Sequence, residues 1–190
     1  MNGHPIRLVV TDDLRRSRVT VFFRLLLALP HFVWLGLWSV VAVLALVVDW
    51  FATLFAGRSP ESLHDFLARF VRYSTHVNAY AYLVADPFPA FAGAPGYPVD
   101  LDVDPPEAQS RLKTFFRLLL AIPALLLARI LGYLLGLLAL FGWFVALLTG
   151  RMPKGMRDLG AYCLRYDAQT EAYLFLLTDR YPAISSPEST

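Results

Sequence analysis

The chain repeats itself. Shifted by 93 positions, so that His4 falls on Tyr97, the sequence meets itself without a gap to its end. Pro5 falls on Pro98 and Arg18 on Arg111. Phe22-Phe23-Arg24-Leu25-Leu26-Leu27-Ala28 falls on Phe115-Phe116-Arg117-Leu118-Leu119-Leu120-Ala121. Trp50-Phe51 meets Trp143-Phe144, Gly57-Arg58 meets Gly150-Arg151, and Ala79-Tyr80 meets Ala172-Tyr173. Shared hydrophobicity alone does not hold Trp, Pro, Arg and Gly in one register, so the fold must be two tandem copies of one unit. The copies span residues 4–91 and 97–184, with a linker at 92–96 and a tail at 185–190.

Each unit carries more apolar surface than a soluble domain can hide. Hydrophobic residues make up 57% of the chain and charged residues 17%, against roughly 45–50% and about 25% in soluble domains. The excess is concentrated in two unbroken runs, Phe22 to Ala56 and Phe115 to Thr149, and runs of that length imply lipid as solvent. The expected fold class is therefore an all-α integral membrane protein. The apolar run after the polar residues Met1 to Arg18 is too long for a signal-peptide core and no small-residue cleavage site follows it, so the segments are expected to be permanent. A net charge of +2 without any Lys/Arg block gives no nucleic-acid footprint. The lone Cys163 excludes an internal disulfide and a cysteine-cluster metal site.

A unit reads in four parts. Ile6-Leu8-Val10 and Val99-Leu101-Val103 alternate with period two, which predicts a short strand in each copy, able to pair with the other. The membrane segments follow, about 18–56 and 111–149. Gly57-Arg58-x-Pro60 and Gly150-Arg151-x-Pro153 then end the apolar helix, glycine suiting the C-cap and proline barring continuation. Last comes an amphipathic helix, about 61–85 and 154–178, expected at the membrane interface.

A straight helix over Phe22 to Ala56 reaches about 52 Å, beyond a hydrocarbon core of about 30 Å. Each segment therefore either folds back as a hairpin or sets part of itself along the surface beside a single span. Trp34 and Trp38 in the first copy, and Arg129 in the second, sit where a hairpin would turn, and tryptophan and arginine both favour headgroup level. Hairpins also put 16 of the 17 Lys and Arg residues on one side, whereas single spans split them 10 to 7. Charge thus favours the hairpin, with a multi-pass chain and cytoplasmic termini. Ile130 to Thr149, twenty uncharged residues, still reads as one ideal span.

Several strings here resemble a known family: Phe22 to His31, Gly57 to Pro60, and Val77-Asn78-Ala79-Tyr80-Ala81-Tyr82-Leu83. They are similar to the domain-of-unknown-function 4389 family, in two copies covering nearly the whole chain. The second copy departs at Pro123-Ala124, where the first has Pro30-His31. The resemblance implies a bacterial membrane protein, located in the cytoplasmic membrane, and supplies no activity to carry over.

Candidate chemistry is sparse. Arg24 and Asp49 are the only full charges deep in the first apolar run and fall at similar depth on the two arms of a hairpin. They form a candidate intramembrane ion pair, structural rather than a relay, because Gly142 replaces the aspartate in the second copy. Arg58 and Arg151, with Lys154, Arg72 and Arg165, are candidate contacts for lipid headgroups. No catalytic triad, phosphate loop or metal-ligand spacing appears, so neither an enzyme nor a cofactor is expected. Two roles remain. One is a structural or accessory subunit packing with itself or with another membrane protein, for which Gly132-x-x-x-Gly136 suits close helix contact. The other is an anionic-lipid or small-solute binding component of a transport system, framed between the two units.

Overall fold

The computed structural model describes residues 4–184. Strand β1 (Ile6–Val10) leads into helix α1 (Arg18–Ala56) and helix α2 (Glu61–Ala81). The second unit follows as β2 (Val99–Val103), α3 (Arg111–Phe115), α4 (Arg117–Thr149) and α5 (Lys154–Leu174).

The hairpins favoured by charge do not form. Helix α1 runs 39 residues without a break, about 58 Å at 1.5 Å per residue. Its buried residues Val21, Arg24, Ala28, His31, Ala42, Asp49 and Thr53 lie on one seam of three- and four-residue steps, the spacing that keeps one stripe facing a partner helix. That partner is α2, which turns back at Gly57 and runs antiparallel along the seam. Asp49 meets Ser59, Trp38 meets Phe66 and Phe70, His31 meets Tyr73, and Arg24 meets the end of α2 at Tyr80. A reversal near Gly36 would cut the seam in two, and Gly36 is not among the glycines with left-handed backbone. Helix α4 repeats the seam with Arg117, Ala121, Ala124, Ala128, Leu135, Gly142 and Ala146. Only Phe116, between α3 and α4, leaves the regular helix.

The turn between long and short helix is set by Gly57 and Gly150, at φ 76° and 71°. Their N–H groups cap Thr53 and Ala146 at 2.8 Å, and only glycine adopts this left-handed cap without a Cβ penalty. The short helices stop at Ala81 and Leu174, four residues before the ends expected from periodicity. Leu83 and Leu176 take positive φ there and turn the chain across the start of the long helix.

Equivalent residues of the two units meet reciprocally, which defines a pseudo-twofold axis. Leu8 lies opposite its own equivalent Leu101 in the antiparallel β1–β2 ribbon. Trp50 donates its indole N–H to the Thr114 carbonyl and Trp143 does so to that of Val21, both at 2.9 Å. Arg111 holds the Phe55 carbonyl and Arg18 that of Leu148. Helices α1 and α4 are thus antiparallel and touch at both ends. Helices α2 and α5 are also antiparallel, Ser74 against Glu171 and Phe70 against Phe175.

Three layers follow along the axis: the α1/α4 pair, the α2/α5 pair, and the ribbon. The core lies between the last two, where Ile6 and Leu101 close over Leu67, Val71, Ala168 and Ala172. The short helices are therefore not free interfacial helices. They form the middle of the molecule, with α2 buried along most of the stretch from Leu67 to Tyr80. The outer faces of α1 and α4, from Phe22 and Leu26 through Leu44 to Phe55 and from Leu118 to Leu148, are exposed and apolar. Both helices are long and apolar enough to cross a membrane.

Candidate functional site

Arg24 and Asp49 do not pair. Without the hairpin they stand about 37 Å apart on one helix, and each has its own partners. The Arg24 guanidinium donates to the carbonyls of Tyr80 and Ala85 at 2.7 Å and to the Asp86 carboxylate at 2.6 Å, with its plane over the Tyr80 ring. Asp49 accepts from the Ser59 hydroxyl at 2.7 Å. The second unit rebuilds the arginine clamp: Arg117 donates to the Tyr173 and Thr178 carbonyls and to Asp179, over the Tyr173 ring. These arginines tie the chain leaving each short helix back to the long one.

The basic residues suggested for lipid headgroups separate into two groups. Arg58, Arg151 and Lys154 are exposed. Arg58 follows the end of α1 and pairs its backbone with Ala108, whereas Arg151 follows the end of α4 and pairs with Arg15, so the two sit at opposite ends of the α1/α4 layer. Arg72 turns inward and donates to the Leu101 carbonyl of the ribbon at 2.9 Å. Arg165 is buried, its guanidinium over Tyr162, with Nε and Nη2 unpartnered.

A different set of residues makes the most developed site. Beside the middle of α4, a cavity of about 680 Å³ opens against the α2/α5 layer. Ile122, Leu125 and Leu126 of α4 form an apolar wall, and Arg129 of the same helix stands beside them. Asp167 and Glu171, one turn apart on α5, supply carboxylates, with Asn78 and Thr170 as neutral neighbours. Of the lining residues only Asn78 and Tyr82 come from the first unit, so the cavity belongs mainly to the second unit and meets the first at the end of α2. Burial pushes the Glu171 carboxyl up to about 8, and the charge of Asp167 adds to the shift against the Ser74 hydroxyl that donates to it at 3.2 Å. Burial also raises Asp167, to about 6. Two carboxylates at i and i+4 in an apolar setting resist joint ionisation.

The charges are confined to the second unit. Arg129, Asp167 and Glu171 stand where the first unit has Gly36, Ser74 and Asn78. The sequence pattern marks Arg129 only as a turn residue, and both carboxylates look like the solvated face of an amphipathic helix. The usable signal was the difference between the copies: three charges gained at neutral positions that the fold brings to one cavity. Among the described residues, no group of three His, Cys, Asp or Glu is placed to hold a metal. His31 is enclosed by Phe88 and Phe91 with Nδ1 at 2.7 Å from the Tyr73 hydroxyl, and His76 bonds Asp100 at 2.8 Å.

The fold and cavity define a class: a duplicated helical protein with an exposed apolar helix layer on one side and a charged ribbon on the other. A family model for a domain of unknown function (DUF4389) matches twice, at residues 18–93 and 111–185, and the chain belongs to that family as two tandem copies. Both strands lie outside the matched segments. No curated protein and no solved structure matches the chain.

Proposed function

We propose that this is a non-enzymatic accessory protein of the bacterial cytoplasmic membrane, seated along one leaflet with α1 and α4 in the acyl region. The observation that carries the reading is the opposition of the outer layers. On one side, two helices of about 50–58 Å present apolar faces about 10 Å wide, together well above the few hundred Å² that a soluble monomer leaves exposed. On the other, the ribbon exposes Arg7, Asp102 and Asp104. The ribbon is level with the middle of α1, because Arg72, which holds Leu101, neighbours Tyr73, which packs on Trp38. Standing α1 upright in the bilayer would sink these ribbon charges to mid-depth, at about 2.5–3.5 kcal/mol each on insertion scales. Laying α1 and α4 in the plane keeps the ribbon in water. It also brings the basic ends, with Arg58 and Arg111 at one and Arg18 and Arg151 at the other, to the same headgroup surface. The seat in the plane takes the place of the multi-pass arrangement that hairpins would have given, and retains its charge bias.

The test is sidedness. Single cysteines replacing Arg58 or Arg151, in a Cys163→Ser background, are labelled with an impermeant maleimide from outside sealed, uniformly oriented vesicles. Seating in the plane gives the same result at both positions, labelled or protected together. Labelling of one and protection of the other would mean that the helices cross the bilayer.

Two further observations bear on what such a protein would do. Gly132 and Gly136 have open space beside them, which supports packing against a second membrane helix, from another copy or another protein. Crosslinking in native membranes then traps a partner, and monomer alone at every dose counts against it. The cavity favours a binding component. Its position between the units and its one-sided charge set support a ligand with both apolar and ionic parts.

A further inference from the structure

Resting on the binding reading, we infer that the cavity between α4 and the α2/α5 layer takes a zwitterionic phospholipid headgroup with a primary amine, a phosphoethanolamine, whose acyl chains lie along α4. Both signs of charge face one space: carboxylates from Asp167 and Glu171, and a guanidinium from Arg129. A purely anionic headgroup meets the carboxylates, and a simple cation leaves Arg129 unanswered. A headgroup carrying ammonium and phosphate answers both.

The apolar wall assigns the rest of the molecule. Ile122, Leu125 and Leu126 are exposed on the same side of α4 that lines the cavity, so a chain leaving the headgroup continues onto the apolar outer face. A soluble phosphoethanolamine would leave that wall uncovered. Arg129 is the single charge within α4 beyond its first residue and makes no hydrogen bond or ion pair with any described residue. An arginine so placed among Leu, Ile and Gly is costly in an acyl environment unless an anion meets it, and a guanidinium binds phosphate bidentately. On the opposite wall, an arriving ammonium lets Glu171 ionise beside Asp167, because an opposite charge in contact offsets desolvation. The first unit, with Gly36, Ser74 and Asn78 in the equivalent places, offers neither group, which gives one such site per chain rather than two.

The experiment is lipid retention by the full chain, purified from nanodiscs of equal parts phosphatidylethanolamine, phosphatidylcholine and phosphatidylglycerol and read by native mass spectrometry. One phosphatidylethanolamine per chain is expected, preferred about tenfold over each of the others, the equivalent of one charge-assisted hydrogen bond. Glu171→Gln with Asp167→Asn removes the preference over phosphatidylcholine, and Arg129→Met lowers retention of both zwitterions; both variants remain folded, with thermal transitions no lower than that of the wild type. Equal retention of phosphatidylglycerol by the wild type, or an unchanged preference in the variants, overturns the headgroup assignment while leaving a lipid site. Retention of no lipid at all overturns the binding reading itself. Release of the lipid by free phosphoethanolamine as completely as by added phosphatidylethanolamine overturns the lipid as the source of the headgroup.

Discussion

Replacing Arg24 with methionine tests the clamp that joins each long helix to the chain leaving its short one. Methionine keeps most of the stem volume, so packing changes little and the loss is that of the guanidinium. Three acceptors lose their donor: the carbonyls of Tyr80 and Ala85 and the Asp86 carboxylate. Hydrogen bonds to a charged group contribute about 1.5–3 kcal/mol each, and removing one member of a buried ion pair costs about 3–5 kcal/mol. The Asp86 side chain is 25% exposed, so water recovers part of its share. The two carbonyls are enclosed and recover little. The expected loss is therefore about 3–5 kcal/mol. Lysine at position 24 keeps the charge without the planar fork and restores part of it. Asp49→Asn keeps an acceptor for Ser59 and costs less than about 1 kcal/mol. The assay is reversible unfolding in detergent micelles followed by far-UV circular dichroism, run as double-mutant cycles. Arg24 should couple to Asp86 and be additive with Asp49. A loss below about 1 kcal/mol for Arg24→Met, or stronger coupling to Asp49 than to Asp86, would refute the clamp.

Arg117→Met should cost as much as Arg24→Met in the same unfolding assay, because its partners are the equivalent ones; a negligible loss would confine the clamp to the first unit. Gly36→Ala should stabilise by about 0.5–1 kcal/mol, since its site is helical with open space around it, and destabilisation there would restore a turn. Gly93→Ala should destabilise by about 2–4 kcal/mol: its φ is 60° and an added Cβ would lie 2.7 Å from the Arg69 carbonyl. Glu171 sets a pH dependence. Between its ordinary 4.5 and its folded value of about 8, the native state keeps a proton that the unfolded chain has lost, so stability falls as pH rises, by up to about 1.4 kcal/mol per unit. The groups facing it are Asp167 and Cys163 on α5, Ser74 and Asn78 on α2, Tyr82 just past its end, and Arg129 on α4. Glu171→Gln should therefore gain on the wild type steadily from pH 5 to 8 in thermal melts, and a constant difference would show that Glu171 does not hold the proton.

The parts of the fold that sequence periodicity reached are those governed by local chemistry. Gly57 and Gly150 mark the caps because no other residue takes that backbone without strain. The helix seam from Val21 to Thr53 was also written in the chain, but it was hidden by the question of where the helix meets lipid. Judging the run Phe22 to Ala56 against bilayer thickness assumes that it stands upright. Once the helix is allowed to lie in the plane, its length no longer demands a reversal, and Trp34 and Arg129 need no turn to explain them. The partners of Arg24 were out of reach for another reason: two are backbone carbonyls 56 and 61 residues away, and carbonyls leave no mark in a residue pattern.

The repeat carried more information about the site than any motif. In a pseudo-twofold built from equal units, each contact between the copies has an equivalent, as Trp50 on Thr114 has Trp143 on Val21, so a charge present in one copy alone breaks that equivalence. At the clamp the copies agree, Arg24 with Asp86 and Arg117 with Asp179, as expected where both must close the same chain reversal. At the cavity they disagree in all three of Gly36/Arg129, Ser74/Asp167 and Asn78/Glu171. Folding does not need the charged set, because the first copy packs its half of the layer with the neutral one. Half-buried carboxylates without an ion-pair partner raise the free energy of the native state, so their presence in one copy is the opposite of what stability alone selects. The difference between the copies, rather than their likeness, is what points to a ligand.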